Sequence, residues 1–454
     1  MAELRERCRA APATVNIPSA TWIGLIVGLF LLVFVVPAVA RSVARLDQDA
    51  RTFRLVMASG ALKLAAAPLW IYVNDHYYSG VADAYGYSRV GAQVAAQIRN
   101  GDFSFHVGRL IGDGATSIIT GIVYTVIGSN ILGGFFVFAF LGFVSLVLFY
   151  RAFRVALPEG DHRRYAKLVF FFPSLLFWTS AIGKDALISL GLGLGALGAA
   201  RILARARGGF VLLGIGLCLT ALIRPHIALI LFAALAVAYL VSKSKTASPL
   251  NPLAKLLGAV VLVVGGLVLA KVTAHFFGLQ SLSVSSIQQV LNTNASNTGA
   301  GAGTQGSRVA ASVSLSPASL PKDIYYVLIR PLPFQAHGLT QLASSLENAF
   351  LVVLLIASWR RLASAFTAMR RHPYLLLAVL YSLVWIILFA SIGNLGILVR
   401  ERTSLLPLLL VLVSWPAVTK ARETSVSTLE DGAARPPLRA AESTSHSLDL
   451  LGRP

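Results

Sequence analysis

The sequence predicts an all-α fold, a polytopic bundle of about 11–12 transmembrane helices, and three observations predict it. Apolar side chains make up 56% of the 454 residues and charged ones 13%, about half the roughly 25% carried by globular domains. The apolar residues come in runs close to the roughly 20 residues that a helix needs to cross hydrocarbon. Lys and Arg number 39 against 19 Asp and Glu, and they gather in short clusters between the runs, as the positive-inside rule expects of cytoplasmic loops. No stretch is polar enough to enclose a separate soluble core, so lipid replaces water over most of the surface.

The same patterns exclude other classes. A net charge of +20 suggests nucleic acid only when the basic residues share one soluble face, and here they are divided among loops. Cys8 and Cys218 stand in a tail and in an apolar run, so neither a disulfide framework nor a metal cluster is implied. The eight His are scattered, and no phosphate-binding G-x-x-x-x-G-K-[ST] loop is present.

In chain order, residues 1–19 form a tail, 20–418 the transmembrane domain and 419–454 a disordered cytoplasmic tail of mixed charge. The predicted spans are Thr21–Ala40, Leu55–Val73, Ile131–Tyr150, Leu168–Ile182, Ala186–Ile202, Phe210–Ile223, Ile227–Val241, Leu256–Ala274, Ala349–Trp359, Tyr374–Ile392 and Ser404–Val418. Ala115–Ser129 is a shorter, Gly-containing twelfth. Basic clusters at Arg151–Lys167, Arg201–Arg207, Lys243–Lys255 and Arg360–Arg371 mark cytoplasmic loops. They alternate with connections at Gly183–Asp185, Arg224–His226, Phe276–Asn348 and Gly393–Arg402, which therefore face outside. External loops are expected near 74–114 and 276–348.

The side of 74–114 stays open. Arg5, Arg7 and Arg9 favour a cytoplasmic start, whereas Arg41, Arg45, Arg51 and Arg54 favour a cytoplasmic loop after the first span. The second case puts Asn74–Asn130 outside, with helices resting on the membrane surface. Ala38-Val39-Ala40 resembles a signal-peptidase site, although its apolar run is longer than a usual signal sequence. Asn292–Ser316, poor in large apolar residues, is expected to be a flexible external linker.

Ionisable residues at or inside spans are the candidate functional groups, because the membrane does not tolerate them without a reason. Lys184 and Asp185 interrupt two apolar runs at a tight turn, where a solvated ion pair is the plain explanation. Arg224-Pro225-His226 joins two spans; Pro225 stops the first helix, and Arg224 can take a phosphate bidentately. Arg330-Pro331-Leu332-Pro333-Phe334 leads through His337 to Glu347, which as a plain alternative simply favours a helix N-terminus. Arg400-Glu401-Arg402 puts two cations on the outer side, against the charge rule, which an anionic lipid phosphate explains. Asp75, Asp83, Asp102 and Asp113 lie in 73–113 with Tyr85 and Tyr87, where Asp83 is also a candidate N-cap. Val81, Tyr85, Val90, Val94 and Ile98 there have roughly helical spacing, as in an interfacial helix. Lys63 stands inside a predicted span, and the run GLGLGALG at 191–198 suits close helix packing.

Three stretches resemble bacterial membrane glycosyltransferases of the GT-C superfamily, including Wzy-like polysaccharide polymerases. They are Asp83-Ala84-Tyr85-Gly86-Tyr87; FFPSLLFWTSAIGKDAL with LTALIRPHIAL; and RPLPF…SLENAF with NLGILVRERTSLLP. The resemblance spans about Val73–Pro416 and implies a GT-C-like bundle in the bacterial inner membrane. It implies transfer of sugars from a polyprenyl-phosphate or polyprenyl-pyrophosphate carrier on the external face, building a surface polysaccharide. Asp83, Asp185 and Glu347 are then the candidate catalytic carboxylates. Lys184, Arg224, His226, Arg330, His337, Arg400 and Arg402 are the candidate ligands of the lipid phosphate. No motif demands a cofactor, and a divalent cation stays open as one. The expected partners are the lipid-linked saccharide, membrane lipid and other polysaccharide-assembly proteins, with no nucleic acid. The competing readings are a transporter or flippase of lipid-linked saccharide, which would place its ionisable groups near mid-membrane, and a non-catalytic scaffold.

Overall fold

The computed structural model describes residues 22–77, 82–242, 251–281, 283–300, 311, 313–335 and 339–417. All but Ala417 fall in one compact unit, Met1–Pro416; the second unit is Ala417–Pro454. Both expected tails, Cys8, Lys243, Lys245 and His337 lie outside the described residues.

Among the described residues the fold is helical and has no strand. Five helices among the described residues are long and apolar enough to cross a bilayer: α1 (Trp22–Asp47), α2 (Ala50–Tyr77, qualifying over Ala50–His76), Leu110–Ile127 with α4 (Ala115–Ile127) as its main part, α5 (Ile131–Ala156) and α8 (Lys184–Leu203). A pair bent by 63°, Gln341–Ala357 with Trp359–Ala368, would add a sixth. Shorter apolar helices follow at α9 (Gly209–Ile223), α10 (Pro225–Val241), Leu262–Phe276 within α11 (Asn251–Phe276), and α16 (Pro373–Phe389). Five or six qualifying spans are fewer than the 11–12 counted from apolar runs.

One expected span is broken. Leu168–Ile182 folds as α6 (His162–Phe171), α7 (Pro173–Phe177) and a single 3-10 turn, Trp178–Ser180. Pro173 has no N–H to continue α6 and keeps Phe172 extended (φ −67, ψ 123). The last carbonyls of a helix have no intrahelical partner, and in hydrocarbon they have no water either. Lys63 of α2 supplies donors: its Nζ bonds the Leu175 carbonyl at 2.6 Å, the Leu176 carbonyl at 3.0 Å and the Thr179 hydroxyl. Lys63, an ionisable residue inside a span, thus caps a broken helix.

The connections fall at two ends of the bundle. Gly24 of α1 lies against Asn130 and Gly133 at the start of α5, and Asp47 at the end of α1 pairs with Arg154 near the end of α5 at 3.2 Å. Helix α5 runs beside α8 in the same sense, Gly134 touching Ile182 and the Ser145 hydroxyl meeting Ser189 at 2.7 Å. The turns Asp47–Ala50 and Ala156–His162 therefore share one end with the Arg151–Lys167 cluster. Arg361 joins them there by pairing with Asp161 at 3.2 Å. The starts of α5, α8 and α10 share the opposite end. Helices α8 and α9 touch through backbone: a Cβ on Gly216 would stand 2.4 Å from the Gly195 nitrogen, so the glycine run is a packing seam.

Two further expectations change. Residues 292–300 are helical, the second half of α12 (Val284–Ala300); 301–310 lie outside the described residues. Thr293, Ser296 and Thr298 return their hydroxyls to carbonyls one turn earlier. Asn294 donates to Ser391 at 3.0 Å, and the Gly393 N–H donates to Thr298 at 2.8 Å. This helix docks by polar contacts, which an apolar count does not register. Of the Val81–Tyr85–Val90–Val94–Ile98 stripe, Val94 is buried, Tyr85, Val90 and Ile98 are half-buried, and Val81 lies outside the described residues; helix α3 (Asp83–Arg99) buries mainly Ala84, Tyr87, Ser88, Gly91, Ala92, Val94 and Ala95, because its small face packs on α4 (Ala115–Ile127), where Gly91 meets Thr120.

Candidate functional site

Five chain-distant segments bring charged side chains to the end of the bundle away from the basic loops. Gly183 is extended (φ 167) and α8 begins at Lys184, so Lys184 and Asp185 occupy its first turn, where a carboxylate is favoured by the helix dipole. They do not pair with each other. Lys184 Nζ lies 2.7 Å from Asp113, just before α4. Tyr87 of α3 donates to the same Asp113 oxygen at 2.6 Å. Asp185, nearly buried at 8% exposure, takes the Arg400 guanidinium.

Arg400 belongs to a short helix, α17 (Leu395–Glu401), which Asn394 starts by accepting from the Gly396 and Ile397 N–H groups. Besides Asp185, Arg400 reaches Asp83 at 3.7 Å. Asp83 is the first residue of α3, whose N-cap is Ala82, so its carboxylate caps nothing and faces Arg400. Glu401 turns the other way, to Arg224. Arg224 is extended (φ −146, ψ 91) between α9 and α10, and Pro225 occupies the first turn of α10. The network thus alternates Lys184, Arg224 and Arg400 with Asp83, Asp113, Asp185 and Glu401.

The 74–114 segment therefore shares an end with Asp185, Arg224 and Arg400. This is the arrangement in which Asp83 and the arginines can act together. Asp83, Asp185 and Arg400, with Trp70 and Trp178, line a small, partly open hollow of about 20 Å³, room for roughly one water. The Trp70 indole N–H is buried and has no hydrogen-bond partner among the described residues. Burial, then the bond to Asp113, pushes the Tyr87 phenol well up. Tyr85 is pushed up to about 12 by burial first and by its bond to Asp75, at 2.6 Å, second. Both phenols stay protonated and serve as donors that hold carboxylates in place.

The other expected site residues lie elsewhere. Glu347, in α14 (Leu339–Ala357), accepts from Ser174 at 2.5 Å. Arg402 donates to Asn348 at 2.6 Å, and Asn348 to the Pro331 carbonyl at 3.2 Å. Arg402 Nη2 is buried without a partner among the described residues. These residues form a second cluster around Arg402, which opens the 3-10 turn that follows α17. Arg330 stands over the Tyr326 ring at 5.9 Å, outside the lining of the hollow. His226 sits among Phe276, Phe277 and Phe389 with ring centroids 5.4–6.2 Å away, and its buried Nδ1 has no partner among the described residues. It packs in an aromatic nest instead of facing the charges.

The sequence marks Asp113 and Glu401 as candidate ionisable groups but gives neither a role in the site; their partners lie 71 and 177 positions away in the chain. Among the described residues, no three His, Cys, Asp or Glu are grouped to hold a metal ion. No family model matches the chain, and no curated protein or solved structure matches it either.

Proposed function

We propose that the protein is an inner-membrane glycosyltransferase or polymerase of GT-C type. In this reading it moves sugars from a polyprenyl-phosphate or polyprenyl-pyrophosphate carrier to a growing polysaccharide at the external face. The observation that carries the reading is the meeting of Asp83, Asp185 and Arg400, with Arg224 beside them, at the end of the bundle opposite the basic loops. The positive-inside rule makes that end external.

The chemistry needs both kinds of group. An acceptor hydroxyl attacks the anomeric carbon and gives its proton to Asp83 or Asp185. The bond from that carbon to the carrier phosphate breaks, and the electron pair leaves with the phosphate oxygen, where Arg400 and Arg224 stabilise the growing charge. Bidentate guanidinium contact suits a phosphate better than a lysine does. A transporter reading would look to ionisable groups deep in the bundle; Lys63 is one such residue, and it is fully engaged by helix-end carbonyls and a hydroxyl.

The test replaces Asp83 and Asp185 singly by Asn and Arg400 by Ala, then follows polysaccharide and lipid-linked precursor in cells. Turnover should fall by about 10²–10⁴ for an essential carboxylate, precursor should accumulate, and membrane abundance should hold. Wild-type product from all three variants would sink the assignment.

A further inference from the structure

The basic end of the bundle holds a much larger cavity, about 680 Å³, between the α1–α2 turn and the start of α6. Its lining includes Asp47, Arg51, Arg54, Arg154, Arg163 and Lys167. The acids there are already engaged. Asp47 is 4% exposed, pairs with Arg154 at 3.2 Å and accepts from Tyr150 at 2.5 Å. Asp49 faces Arg163 at 3.8 Å, and Asp161 takes Arg361 at 3.2 Å. His162 also adds no charge: Arg154 Nη1 stands 3.0 Å from its Nδ1, which must then accept, while Nε2 donates to the Leu157 carbonyl at 2.9 Å. That leaves Arg51, Arg54 and Lys167, all exposed, with no carboxylate against their side chains among the described residues.

The outward stripe of α2 says what kind of anion fits. Among its exposed positions, Arg51, Arg54, Ala58, Leu62, Ala65, Leu69 and Tyr72 are spaced by three and four residues along one helical face. Two arginines at the mouth of the cavity are thus followed along the same face by an unbroken apolar track. A free anion would use the first part alone. A lipid uses both.

We propose that this cavity binds the phosphodiester headgroup of an anionic membrane lipid, through Arg51, Arg54 and Lys167, with its acyl chains along Ala58, Leu62, Ala65 and Leu69. The site is independent of the Asp185–Arg400 hollow and of any reading of that hollow. Basic pockets between transmembrane helices on the cytoplasmic side are a recurrent setting for such headgroups.

The full chain, purified in a mild detergent, is offered equal amounts of phosphatidylglycerol and phosphatidylcholine, and retained lipid is counted by native mass spectrometry. Each basic side chain near a headgroup is worth roughly fivefold. Wild type should therefore favour phosphatidylglycerol by about tenfold or more, and R51Q/R54Q/K167Q should bring the ratio close to one. Should the triple variant fail to fold, R54Q and K167Q alone are each expected to lower the ratio severalfold. An excess of inorganic phosphate, at ionic strength matched with chloride, should leave the bound lipid in place. Equal retention of the two lipids by wild type, an unchanged ratio in the variants, or displacement by phosphate alone would each overturn the proposal.

Discussion

Arg400, Glu401 and Arg402 are consecutive in the sequence and leave their helix in three directions, to Asp185 and Asp83, to Arg224, and to Asn348. A run of alternating charges would be expected to neutralise itself locally; here the helical turn separates the side chains, and each finds a partner far along the chain. The Arg224–Glu401 pair, with Glu401 5% exposed, is the better place to measure that coupling, because it stays clear of the hollow. A double-mutant cycle of Arg224→Gln and Glu401→Gln, read from unfolding in detergent, should give a coupling of about 1–3 kcal/mol. A value near zero would mean the two side chains do not hold each other. Lys63→Met makes a second prediction at this scale. It removes the ammonium donor shared by the Leu175 and Leu176 carbonyls, which keep the Thr179 and Ser180 hydroxyls, and should cost about 1 kcal/mol, seen as a lower thermal midpoint with specific activity retained. An unchanged midpoint would show that the broken helix does not need its cap.

Helices followed from hydropathy wherever one uninterrupted run met one uninterrupted backbone, as in Ile131–Ala156 and Lys184–Leu203. Hydropathy failed where the backbone decided. Leu168–Ile182 scores as a span because its side chains are apolar, but Pro173 removes an amide, and the count of side chains does not see amides. Asn292–Ala300 failed in the opposite sense: its polar residues looked unable to pack, yet hydroxyls and amides pair it with Ser391 and Gly393. The glycine seam between α8 and α9 was legible because only small residues let two helices touch through backbone. Gly216→Leu tests it. With no room for even a methyl beside the Gly195 nitrogen, overpacking should cost about 1–3 kcal/mol and lower membrane abundance, while Gly214→Leu, where nothing lies within 4 Å, should not. Equal effects at both positions would remove the seam.

For the whole molecule, loop charge told which connections share an end, since Arg and Lys sort to one side of a bilayer whatever the helices do between. The members of the site were half legible: acids and arginines at apolar boundaries could be picked out, but who meets whom depends on contacts across the bundle. In a cysteine-free background, Ser104→Cys should react with an impermeant thiol reagent in intact cells, and Arg205→Cys only after permeabilisation. The reverse pattern would invert the molecule. The hollow beside Asp185 carries a last consequence. With space for a single water, the hollow admits a sugar, on the proposed function, only when Arg400 lets go of a carboxylate, and binding is then reduced by the fraction of molecules in that released form. Asp83→Asn loosens that hold and removes a candidate base at once. Apparent affinity for the donor should tighten while turnover falls, a lower KM with a lower kcat.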